Sequence, residues 1–136
     1  MKRVFYQIFL MMALVLSAAE TFAQQPKAFE TVKYIARARQ MVFRLDYAEG
    51  YLGASRIRLI KTGQKPQVFS PDGDTPEADG EFVLRSAVKH TIILTHINDE
   101  SEAPETIQAI YRKNGRVTNL MFYKRTRQNA GAAQRN

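Results

Sequence analysis

Asn114-Gly115 stands between two runs of similar length, TIQAIYRK and RVTNLMFYK. Asparagine and glycine most readily take the positive φ angles of a two-residue type I′ turn, so the dipeptide predicts a β-hairpin. Opposing Lys113 to Arg116 fixes the register. Tyr111 then faces Thr118, Ala109 faces Leu120 and Ile107 faces Phe122 on one side. Arg112 faces Val117, Ile110 faces Asn119, Gln108 faces Met121 and Thr106 faces Tyr123 on the other. The first side is apolar enough to be core and the second is mixed. A lone ribbon of two strands is marginal in water, so the chain must supply others.

Those strands can be read upstream. Alternation predicts a strand over residues 38–47, with Met41, Phe43 and Leu45 inward and Val42 and Arg44 outward. A turn at residues 48–53 precedes a strand over 54–62, with Ile57 and Leu59 inward and Arg56 and Arg58 outward. Residues 67–69 make a short strand that Pro66 confines to an edge or a strand beginning. Ser70 to Gly80 is a polar loop, and Phe82 and Leu84 begin another strand. Residues 89–97 are apolar on both parities and predict a central strand covered on both sides. Residues 31–36 fit a short strand or a helical turn. The expected fold is all-β, a small antiparallel barrel or two-sheet sandwich of six to seven strands, and pattern alone does not separate the two.

The N-terminus has a different character. Lys2 and Arg3 precede an apolar run from Val4 to Leu16, and small residues at Thr21 and Ala23 suit a peptidase. The run is shorter than the ~18 residues a spanning helix needs. Residues 1–23 are therefore expected to be a cleaved signal peptide, residues 24–28 a flexible lead-in, residues 29–125 a single domain and residues 126–136 a loose tail. This points to export, to the periplasm or beyond the cell, with no membrane span in the mature chain. An outer-membrane barrel is disfavoured because the strands carry charges where lipid would lie. Removing Lys2, Arg3 and Glu20 leaves 18 basic against 12 acidic residues, a net charge of +6 with neutral histidines. For an exported protein this favours an anionic glycan or surface over nucleic acid.

No cysteine occurs, which excludes disulfides, thiol nucleophiles and sulfur-ligated metals. His90 and His96 are the only histidines. On one strand they would stand ~20 Å apart, too far to share a metal ion. The acids of Asp72-Glu81 offer the oxygen ligands calcium takes, but their spacing fails the helix-loop-helix calcium pattern. An irregular calcium site there is the one cofactor the sequence admits. Glu49, between Tyr47 and Tyr51, is the one carboxylate in a partly apolar setting.

Two function classes follow. One is a non-enzymatic binding or interaction domain for an anionic glycan, a small ligand or an envelope protein. Its candidate ligand-binding residues are Arg44, Arg56 and Arg58 with Tyr47 and Tyr51 at the rim, since guanidinium groups grip carboxylates and sulfates and aromatic faces stack on sugars. A second candidate surface is the mixed hairpin face of Ile110, Val117, Met121 and Tyr123. The other class is a small exported hydrolase using Glu49 or a histidine. No nucleophile elbow, phosphate loop or dinucleotide fingerprint supports it, which favours the binding domain.

Overall fold

A computed structural model describes residues 28–126. The signal peptide expected over residues 1–23, most of the lead-in and nearly all of the tail lie outside the described residues. Eight antiparallel strands close into a barrel: β1 (Glu30–Ala38), β2 (Met41–Glu49), β3 (Arg56–Lys61), β4 (Gln67–Pro71), β5 (Phe82–Ser86), β6 (Thr91–Leu94), β7 (Thr106–Lys113) and β8 (Arg116–Lys124). Each strand pairs with the next, and β8 returns to β1 through Tyr34↔Lys124 and Ile35↔Tyr123. Of the two expected architectures the chain adopts the barrel, which leaves no sheet edge unpaired. Residues 31–36, expected as a short strand or helical turn, lie within the full strand β1.

The closing hairpin has the register expected from its turn, from Lys113↔Arg116 to Thr106↔Tyr123. Asn114 and Gly115 take φ angles of 47° and 75°, the left-handed pair a type I′ turn requires. The expected long strand over 89–97 is confined to β6, because Lys89 (φ 62°) and His96 (φ 57°) turn left-handed on either side of it. Within β6 both parities are buried. Ile92 and Leu94 point into the barrel, whereas Ile93 lies on the wall between its cross-strand neighbours Val83 and Ile110.

Inward positions of all eight strands form one core. Tyr34, Phe43, Leu45, Tyr47, Phe69, Leu84, Ile92 and Phe122 are almost wholly buried there. Small Ala36 stands opposite Phe43, and Ala109 opposite Leu94 and Leu120, so the barrel tapers around its aromatic rings. The lumen is thus a packed interior. Outward positions such as Arg44, Arg58, Arg85 and Arg112 are exposed to solvent. An apolar inside and a charged outside invert what a lipid-facing barrel requires.

Strand order gives the barrel two unlike ends. The turns β1–β2, β3–β4, β5–β6 and β7–β8 gather at one, the tight-turn end. The connections β2–β3, β4–β5 and β6–β7 gather at the other, the loop end. There Leu52 of a single 3-10 turn (Leu52–Ala54), Ile97 and Ala103 cover the core. Buried Ser55 Oγ accepts the Ala48 N–H at 2.9 Å, and the Tyr34 hydroxyl donates to the Pro104 carbonyl.

Candidate functional site

The tight-turn end is where the inward pattern turns polar. On β3 the inward sequence is Ile57, Leu59, then Lys61, and on β7 it is Ile107, Ala109, Tyr111, then Lys113. The same layer receives Gln67 from β4, Ser86 from β5 and His90 from the β5–β6 turn. Lys61 and Lys113 are half-buried and close enough to repel. Burial first, and then the Lys113 charge, pull the Lys61 ammonium below its ordinary pKa. His90 is likewise lowered, by burial first and then by Lys113 and Lys61.

This layer is held in place by its own hydrogen bonds. Gln67 Nε2 donates to Ser86 Oγ at 3.0 Å and lies 3.2 Å from His90 Nδ1. The His90 backbone N–H donates to the same serine oxygen at 3.1 Å. The imidazole also meets the Tyr111 ring edge-on, with centroids 6.3 Å apart. Beneath it the Tyr111 hydroxyl is buried with no hydrogen-bond partner among the described residues. Burial raises its pKa, which keeps it a neutral donor.

Two open depressions flank the lysine pair. One, of about 480 Å³, lies between the β3–β4 and β5–β6 turns, and the other, of about 410 Å³, lies beside the β7–β8 turn. Lys61 and Lys113 line both, and Arg39 and Arg116 line the second. With Lys65 and Lys89 on neighbouring turns, six cationic side chains surround one barrel mouth.

The acids lie elsewhere. Of the 13 Asp and Glu in the chain, all but Glu20 fall among the described residues. Those others occupy the loop-end connections or the strand halves leading to them. A nine-residue strand at a typical barrel tilt separates the two ends by roughly 20 Å, more than twice the ~8 Å Debye length of physiological salt. Acids at the loop end therefore do little to neutralise the lysines at the other.

The candidates drawn from the sequence are placed differently. Arg44 and Arg58 are direct cross-strand neighbours on the outer wall, as expected. Asp46 lies beside them, 3.5 Å from Arg58. Arg56 is turned to the backbone, donating to the carbonyls of Gly53 at 2.9 Å and Ser55 at 2.6 Å. Tyr47 departs from the expected rim position. It shares the inward parity of Phe43 and Leu45, is 2% exposed, and packs edge-on against Tyr34 at 5.9 Å. Its phenol is pushed up to about 12, first by burial and then by Glu49 and Asp99. Tyr51 stays half-buried at the loop end, 6.4 Å from the Phe29 ring. The structure thus brings Arg44 and Arg58 together, ties Arg56 to the backbone before its own strand and removes Tyr47 from them.

Glu49 and the histidines do not meet. Glu49 accepts the Ala103 N–H at 3.2 Å at the loop end, where exposed His96 also lies beside Thr95 Oγ1 at 3.3 Å. His90 is at the opposite mouth. In the Asp72-Glu81 loop, Asp72 is paired to Arg85 at 2.5 Å and Asp79 accepts the Glu81 N–H at 3.1 Å. Among the described residues no three histidines or carboxylates converge on a point where a metal ion could sit. The lysine mouth escaped sequence reasoning, although extending the inward alternation of β3 and β7 by one step would have reached both lysines.

Comparison of the chain with protein-family models, with curated proteins and with solved structures gave no significant match.

Proposed function

We propose that this chain is an exported, non-enzymatic binding domain that engages an anionic partner through the tight-turn mouth of its barrel. The observation that carries this reading is the pair of half-buried lysines, Lys61 and Lys113, converging with no carboxylate among the described residues at their end of the barrel. Two ammonium groups held together cost free energy that an anion seated between them recovers. The large apolar side chains at the inward positions favour binding on the outside of the barrel. The enzyme reading is weakened by the same layout: His90 has Gln67 as its partner and Glu49 lies at the far end.

A second contact surface is favoured by the adjacency of Arg44 and Arg58 on β2 and β3. Its strength is reduced by Asp46, which already answers part of that charge.

Retention on a sulfated-polysaccharide column separates the two surfaces. Lys61→Gln with Lys113→Gln should elute at clearly lower salt than the parent. Arg44→Gln with Arg58→Gln should elute nearer the parent. Equal elution of the lysine variant and the parent would remove the mouth from consideration.

A further inference from the structure

Exposed apolar side chains are few on this barrel, and their positions are uneven. Val88 sits on the β5–β6 turn and is 61% exposed, while Val117, beside the β7–β8 turn, is also 61% exposed and Val68, at the start of β4, is 48% exposed. All three flank the same mouth as the lysine pair. The larger depression there combines the two characters, with Pro66, Val68 and Val88 beside Lys61, Lys65 and Lys113. Phe29 and Tyr123, the other large hydrophobic residues exposed to this degree among the described residues, lie toward the loop end.

Resting on the anion-binding reading above, we propose that the partner is the headgroup surface of an anionic phospholipid bilayer, met end-on by the four hairpin turns. Charge complementarity argues for it, because the turns carry cations and the carboxylates face away. Polybasic surfaces are drawn to anionic leaflets, and apolar side chains set among the cations enter the headgroup boundary. An uncharged sugar polymer would ask for an aromatic platform on which its rings stack, and a sulfated one for cations alone. The aromatic rings near this mouth, Phe43, Phe69 and Tyr111, are all buried. Exposed valines have no role in gripping a hydrated glycan, whereas between lipid headgroups they leave water. The contact is peripheral: the valines reach only into the interface, and the barrel wall keeps its charges in solvent.

The test is co-sedimentation of the purified protein with vesicles of phosphatidylglycerol in phosphatidylcholine and with vesicles of phosphatidylcholine alone. Binding is expected to the first and not to the second, falling as salt rises. Val88→Ser with Val117→Ser, which has the same N-terminus and the same charge, should bind about tenfold more weakly. Its thermal midpoint and its retention on the sulfated column should match the parent. Lys61→Gln with Lys113→Gln should weaken both vesicle binding and column retention. No binding to anionic vesicles with column retention intact would overturn the bilayer and leave the anion site standing. Vesicle binding that ignores the valine change would also overturn it, and loss of column retention from the parent itself would overturn both.

Discussion

Lys61 and Lys113 occupy positions where the inward alternation of β3 and β7 would next place an apolar side chain. Replacing Lys61 by Met keeps the aliphatic stem and removes one of two repelling charges. The expected outcome is a higher thermal midpoint at low salt together with weaker anion retention, a trade expected where a site holds strain for its ligand. A lower midpoint would mean that the lysine pair is not strained. His90 reports on the same pair. Its folded pKa lies below the ordinary 6.5, so the unfolded chain takes the proton first as pH falls. The stability tied to this residue is full above pH 6.5 and is lost as pH falls through the folded pKa. His90→Gln should flatten that part of a pH–stability curve, and a bound anion should raise the His90 pKa in an NMR titration. Tyr111 gives an opposite kind of prediction. Its hydroxyl is buried without a partner, so Tyr111→Phe should leave stability unchanged or raise it by about 1 kcal/mol in urea denaturation.

The β7–β8 hairpin was legible in full because its register rests on two residues with a steric requirement. Gly115→Ala forces a Cβ into the left-handed region and should cost about 1–2 kcal/mol in the same assay, although nothing lies within 4 Å of the added atom. Phe122→Ala should cost about 3–5 kcal/mol, since this wholly buried ring would leave a cavity in the centre of the core. Strand β1 was harder to read. Its alanines favour helix, and Ala36 is small because Phe43 stands opposite, a fact that becomes visible only once the strands are paired. Strand β6 was over-extended because apolar content continues through Ile97, while the left-handed turns at Lys89 and His96 fall on residues that give no such signal. Tyr47 was misplaced for another reason. Setting it at the rim of the arginine patch overlooked its parity with Phe43 and Leu45, which already placed it inside.

Charge at the scale of the whole barrel follows from strand order. The linear sequence shows acids gathered in the loops after β4 and β6 and cations scattered through the strands and turns. Folding the chain up and down eight times sends alternate turns to opposite ends, and scattered cations become one mouth. The acidic loops were therefore readable as loops, but their separation from the lysines needed the closed barrel. The same closure turns β2 and β3 outward with their arginines, which leaves two basic surfaces to be told apart. Titration of the isotopically labelled protein with a soluble sulfated oligosaccharide, followed by backbone amide NMR, tells them apart directly. The shifts should gather at Arg39, Lys61, Lys65, His90, Lys113 and Arg116 and weaken with salt; shifts confined to Arg44, Arg56 and Arg58, or spread evenly over the barrel, would contradict the account.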